Sequence, residues 1–345
     1  MTEIGVRLAR EGDRRSWNDF LGRLPEASPL ALFEWRDILA ASYGPLQRYW
    51  IAERSGEIVG VLPTYISKGG RRPTMYSLRQ GMNAVDDQAA RALLEAAANE
   101  ARSLGCHAAL ITSGLKVHDV AYETERRLTM VLDVSVGERA LWDGFRQKTR
   151  TTIRKGIKGG LTVEWSFGAL AEFFTLYSCT MASKRVPTLN RRFFDELVRR
   201  LGSNTRIFVV RKDAEPVGAG VLMVLGDFAT YVYQGTSARH LDLAPSSFMF
   251  WSVALRCVNE GVRLLDLGES RAGSPVHTFK TNFGGAPREL GYYDLLRDPG
   301  ARYGTSDSSS RISILPGLRD RIVDTLPLFA KRWVAETARK RGRIV

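Results

Sequence analysis

Cysteine is scarce in this chain: 345 residues contain three, Cys106, Cys179 and Cys257. An odd number at wide spacing provides neither a disulfide framework nor metal-ligand pairs, and it suits a reducing compartment. Histidine is equally sparse, and His107, His118, His240 and His277 show no ligand spacing. No metal site is expected. No apolar run approaches the roughly twenty residues of a membrane-spanning helix. The opening Met1-Thr2-Glu3-Ile4-Gly5 has no basic and apolar segments of a secretory signal. These absences point to the cytoplasm. Acidic charge is also in deficit, with 37 Asp and Glu against 50 Lys and Arg, a net charge of +13.

That surplus favours anionic partners such as nucleic acid, phosphorylated substrates or an anionic membrane face. It is unevenly placed. Arg146, Lys148, Arg150, Arg154, Lys155 and Lys158 follow one another with no acid between them. Arg150 and Arg154 stand at i, i+4 on one helix face, where two cations can grip one diphosphate together. A solvated basic helix is the competing reading. A second surplus lies in 311–345. There, amphipathic helical pieces at 312–341 carry Phe329 and Trp333 among Lys331, Arg332 and Arg339. Such a stretch lies on an anionic membrane surface or packs as a plain terminal helix.

The length implies two domains, and the chain repeats itself. Gly60 and Gly218 each close a strand-turn-strand segment and lie 158 positions apart. Gly105 and Gly261 each end a long helix and precede an apolar strand, 156 positions apart. Strands at 5–9 and 161–165 keep the same spacing. Three concordant landmarks indicate a duplication. Each copy reads as a strand, two helices (14–24 and 33–43; 169–184 and 191–201), a hairpin, a long helix (87–104; 245–260) and a buried strand (108–111; 264–267). Closing strands are expected at 130–134 and 292–296. The fold class is α/β in the α+β layered sense: mixed, mostly antiparallel sheets flanked by helices. Domains are expected at 1–136 and 137–298. The second opens with a helix at 137–159, and 299–345 follows as a linker with basic helices.

The densest chemistry follows the strand Leu264-Leu265-Asp266-Leu267, where Gly268 hands over to an exposed loop bearing Glu269, Arg271 and Lys280. Phosphate-binding turns before a helix are usually glycine-rich. The equivalent stretch here, from Gln234-Gly235-Thr236 to Pro245, has one glycine, which disfavours conventional acetyl-CoA binding.

The order of elements is that of GNAT-type N-acyltransferases. Three stretches resemble the Fem-type aminoacyltransferases and the related FemAB-like proteins of envelope polysaccharide systems. They are Phe145–Gly156, the run Tyr233-Gln234-Gly235-Thr236 with Pro245 and Trp251, and Leu265–Ser270 with Phe279-Lys280-Thr281-Asn282-Phe283-Gly284. The resemblance implies tandem GNAT-like domains and transfer of an aminoacyl or other acyl group to an amine of a peptidoglycan or polysaccharide precursor. The donor, aminoacyl-tRNA or acyl-CoA, is consumed as a co-substrate, and no tightly bound cofactor is needed. The helical hairpin arm typical of the family has no candidate segment, which points to its compact members.

The resemblance sets Phe279 and Lys280 near the reacting ends of the substrates. Lys280 would neutralise a donor phosphate or the oxyanion; otherwise it is an ordinary surface lysine. Glu269 and Asp266 are candidate bases, Asp266 alternatively a structural acid. Tyr233 and Gln234 would line the cleft, unless Tyr233 is core. Arg271 joins them on the loop, and Lys148, Arg150, Arg154 and Lys155 would bind the anionic substrate. Two other functions stay open: a CoA-dependent N-acyltransferase with an atypical phosphate loop, and a non-catalytic polyanion-binding module.

Overall fold

A computed structural model of the protein describes residues 3–67, 72–115, 117, 122–123, 127–184, 186–270 and 272–297. Arg271 and everything expected of 299–345, including the membrane-facing stretch, lie outside these residues.

Along the chain run β1 (Ile4–Leu8), α1 (Arg14–Arg23), α2 (Trp35–Tyr43), β2 (Leu46–Arg54), β3 (Glu57–Ser67), β4 (Thr74–Tyr76), β5 (Asn83–Ala84), α3 (Asp87–Ser103), β6 (Ala108–Ser113) and β7 (Tyr122–Glu123). Then come β8 (Arg127–Asp133), α4 (Gly137–Gly144), α5 (Gln147–Lys158), β9 (Leu161–Trp165), α6 (Leu170–Ser183), α7 (Arg191–Leu201), β10 (Thr205–Lys212), β11 (Glu215–Leu225) and β12 (Phe228–Thr236). The described chain closes with α8 (Pro245–Asn259), β13 (Leu264–Ser270), α9 (Pro275–Thr281) and β14 (Ala286–Asp294). The chain divides into two compact units, one of residues 1–127 with 289–345, the other of residues 128–288.

In the first unit β1, β2 and β3 form an antiparallel meander. Its β4 runs antiparallel to β3 and parallel to β6. Helix α3 buries Ala89, Ala90, Leu93, Leu94, Ala97 and Ala101, the three-and-four spacing of a core-facing stripe, against Trp50, Leu62 and Ile66. On the other face Trp17, Phe33, Tyr49 and Tyr65 form an aromatic cluster.

In the second unit β9, β10, β11 and β12 are antiparallel neighbours, and β12 runs parallel to β13. Ile207–Val210 of β10 are all buried, as expected of a strand covered on both faces. Helix α8 packs on one face with α4 and α5; α6 and α7 cover the other.

The closing strands are exchanged relative to the sequence copies. β8, which follows the first copy, pairs antiparallel with β13 of the second unit. β14, which follows the second copy, pairs antiparallel with β6 of the first. Alternating apolar residues show that a strand has a buried face; they do not say which neighbour it joins. The single helix expected over 137–159 is also broken. Phe145 and Arg146 are extended, with ψ of 145° at both. This turn lets the Phe145 ring enter the core between Trp251 and Phe283, at 5.6 and 5.3 Å.

Candidate active site

The site is built where two parallel strands part. β12 and β13 pair only over Phe228↔Leu264, Ala229↔Leu265 and Thr230↔Asp266. Both continue beyond that point, β12 to Thr236 and β13 to Ser270. An edge of β12 therefore faces a gap with its main-chain groups turned toward it.

Irregularities in both strands shape the gap. On β12, Val221 of β11 opposes Tyr233 while the next residue, Leu222, opposes Tyr231, so Val232 is an extra residue. Residues two apart on a strand normally face one side; a bulge reverses this. Tyr231 consequently packs on Phe250 of α8 at 5.1 Å. Tyr233 turns to Phe194 of α7 and Tyr177 of α6, at 5.3 and 6.2 Å. On β13 a second bulge falls at Leu267-Gly268, with Gly268 at φ +86°. The apolar strand does not stop at Gly268; it kinks there and goes on.

Lys280 occupies this corner. It sits on α9, a short helix begun by Ser274, whose hydroxyl accepts from the His277 N–H at 3.1 Å. Phe279 anchors α9 against Phe250 and Phe283 at 5.1 and 5.4 Å. The ammonium of Lys280 donates to the carbonyls of Gly268 and Glu269, each at 2.9 Å. A Cβ at Gly268 would lie 3.5 Å from Lys280 Nζ and 3.7 Å from the Tyr231 carbonyl, so all three meet at the mouth of the gap. Lys280 is 5% exposed. It is therefore neither on an exposed loop nor an ordinary surface lysine. A buried ammonium costs several kcal/mol unless bonded, and such residues tend to mark functional sites.

Asp266, fully buried, accepts from the Gly268 N–H at 2.7 Å and from the Thr129 hydroxyl of β8. Of the expected residues, Lys280, Glu269 and Asp266 thus converge on one bulge. Tyr233 faces the aromatic layer of α6 and α7, and Phe279 is a packing anchor. Gln234 is half-buried, and its Oε1 has no hydrogen-bond partner among the described residues.

The basic helix divides into two sets. Arg150 donates to the carbonyls of Trp142 and Asp143 at the end of α4, at 3.4 and 2.8 Å. Arg154 lies over the Trp142 ring at 5.1 Å. These two share a face as expected, but it is the face turned to α4. Lys148 and Lys155 are exposed, as are Arg146 and Lys158, and none makes an ion pair among the described residues. Helix α5 is tied to the site by Thr149, whose hydroxyl donates to the Asn282 carbonyl at 3.1 Å. Helix α8 starts at Pro245 behind Ala244, a left-handed residue at φ +53° that supplies no side-chain cap.

Two residues of the site were not expected from sequence. Tyr231 is buried, its hydroxyl lacks a partner among the described residues, and burial raises its pKa well above the usual tyrosine range. Thr129 is the hydroxyl donor on the neighbouring strand. No cluster of three or more potential metal ligands occurs among the described residues, nor any helix long and apolar enough to cross a membrane.

Residues 143–280 match the family model of the acetyltransferase (GNAT) domain. Among solved structures the chain is similar to FemX, with 17% identity, 84% of this chain and 97% of that one covered, and a TM-score of 0.68. It is also similar to a tandem GNAT protein from the clavulanic acid biosynthesis pathway (14% identity, 86% and 100% covered, TM-score 0.54). A third similarity is to the C-terminal domain of a protein assigned as a lysylphosphatidylglycerol synthetase from Agrobacterium fabrum (16%, 81% and 92%, TM-score 0.52). At such identities the likeness is one of fold. A sequence comparison with curated proteins finds no match. Fold and domain together define a GNAT-fold acyltransferase. Within that class the chain has the fold of the Fem-like tandem proteins.

Proposed function

We propose that the protein moves an aminoacyl or other acyl group onto an amine of a cell-envelope precursor, of peptidoglycan or polysaccharide type. The observation that carries this reading is the buried Lys280 ammonium at the parting of β12 and β13. The fold likeness to FemX and to the lysylphosphatidylglycerol synthetase domain supports an envelope acceptor. An acyl carbonyl lodged in the gap would be attacked by the acceptor amine. The C–N bond forms, the carbonyl electrons move to oxygen, and the oxyanion collapses to expel the donor's alcohol or thiol. Lys280 would stabilise the oxyanion or an adjacent donor phosphate. Glu269 would take the amine's proton. Lys148 and Lys155, with Arg146 and Lys158, would hold the diphosphate of the anionic substrate, in place of the Arg150–Arg154 pair.

One observation favours acyl-CoA over aminoacyl-tRNA as donor. The N-terminus of α8 has no side-chain cap, and the positive end of a helix dipole favours phosphate.

The test is a thermal-shift and transfer screen with acyl-CoAs, charged and uncharged tRNA, and nucleotide-linked muramyl peptides. A ligand at a hundred times its Kd stabilises the fold by about 2.7 kcal/mol. Stabilisation by a muramyl peptide, with transfer to it, is the expected result. Stabilisation by CoA species alone, with transfer to amines outside the envelope, would overturn the acceptor assignment.

A further inference from the structure

Strand β13 supplies the two carbonyls that hold Lys280, and a bulge presents them. Asp266 opposes Val131 on β8, and the next paired position is Glu269 opposite Thr129. Leu267 and Gly268 therefore face the single residue Met130. One carboxylate closes the bulge from inside. Asp266 Oδ1 accepts both the Gly268 N–H and the Thr129 hydroxyl. Thr129 and Asp266 are both 0% exposed. On the far side, Phe279 packs α9 into the aromatic core, which gives the backbone of Lys280 an anchor besides β13.

This geometry points to Thr129 as a positioning residue for Lys280, acting through Asp266 and the bulge rather than on substrate. The inference rests on the assignment of Lys280 to the reacting centre. A sealed carboxylate needs its donors. Without the Thr129 hydroxyl, Asp266 is one bond short and must turn toward another donor or admit water. Either response loosens its hold on the Gly268 N–H, which shapes the bulge. The carbonyls of Gly268 and Glu269 then move while α9 stays in place. The ammonium loses its alignment with the gap.

The experiment uses the full chain with Thr129→Val, which keeps the shape and removes the donor, and Thr129→Ser, which keeps the donor. The first readout is reductive methylation by formaldehyde and cyanoborohydride, followed by peptide mass spectrometry. It compares Lys280 with the exposed Lys148 and Lys155 and needs no turnover. Lys280 should be protected in the native protein and in Thr129→Ser. It should be methylated several-fold faster in Thr129→Val, with Lys148 and Lys155 unchanged. The second readout is transfer kinetics: kcat should fall about tenfold or more in Thr129→Val, with KM within about twofold, and recover in Thr129→Ser. Unaltered protection of Lys280 in a folded Thr129→Val would overturn the inference, and so would faster methylation with unaltered kcat. If Thr129→Val fails to fold, Thr129→Ala is read by the same two criteria. A fully active Lys280→Ala would sink the assignment of Lys280 alone, because the methylation arm reports the clasp by itself.

Discussion

Lys280 concentrates most of the proposed chemistry in one ammonium, and its removal should act on rate before stability. Lys280→Ala is expected to lower kcat/KM for transfer by about a hundredfold, the scale of losing one preformed donor to an oxyanion. A thermal melt run beside the assay separates this from unfolding. Gly235 makes the opposite prediction. A Cβ there would sit 2.4 Å from the backbone C of Leu176 and N of Tyr177, so α6 rests directly on β12. Thr180 staples the same contact, accepting from the Thr236 N–H at 2.9 Å. Gly235→Ala should destabilise the fold by about 1–3 kcal/mol, seen as a lower urea midpoint with unchanged slope. The sequence marked Lys280 and Asp266 as residues to watch, because charge inside or beside an apolar run is conspicuous, and both are buried at one bulge. It could not show that Lys280 is buried on a helix, since seven residues opening on Pro275 give too little periodicity.

Elements that correspond between the copies have diverged at two helix starts. The gap between β12 and β13 has a counterpart in β4 and β6, which remain linked. The Thr112 N–H donates to the Ser77 hydroxyl and the Thr112 hydroxyl donates to the Leu78 carbonyl, at 2.9 and 2.6 Å. Met82 then bridges to Ser113. Helix α3 begins at Asp86, whose carboxylate accepts from the Ala89 N–H at 2.9 Å and from Arg54 at 2.8 Å. A carboxylate already stands where a phosphate would. Helix α8, begun by Ala244, has none. Ala244→Asp should therefore abolish stabilisation by acyl-CoA in the thermal-shift assay while leaving the unliganded melt nearly unchanged. Asp86→Ala should cost about 1 kcal/mol through the lost cap.

The Asp86 cap also titrates. The Ala89 N–H first, and Arg54 after it, hold the carboxyl below the ordinary aspartate range. A depressed native pKa means stability that is complete at neutral pH and lost as pH falls from the ordinary aspartate range through the lowered native value. Asp86→Asn keeps the cap but not the titration, so urea midpoints from pH 5 to 2 should fall less steeply than in the native protein. Most elements at this scale were legible, because helix stripes and apolar strands leave clear periods. The bulges were not. Val232 and Gly268 each break the alternation by one residue, and Tyr231 and Tyr233 face opposite layers for that reason alone.

At the scale of the molecule, the duplication was readable from recurring glycines, whereas the exchange of closing strands was not. A chain cut by sequence copy, 137–298, lacks β8, and β13 then loses its antiparallel neighbour. A chain cut by contact, 128–288, keeps it. The 128–288 fragment should unfold cooperatively on heating, and the 137–298 fragment should not, as read by circular dichroism. The exchange also sets a schedule for synthesis. The ribosome makes the chain from its N-terminus at about 5–20 residues per second, and domains generally fold as units as they emerge. The first unit has most of its sheet by residue 113, yet β14, the partner of β6, is made only at 286–294. The second unit is complete once residue 288 has emerged. The half that is translated first is finished last, and its exposed β6 edge must wait through the whole synthesis of its twin.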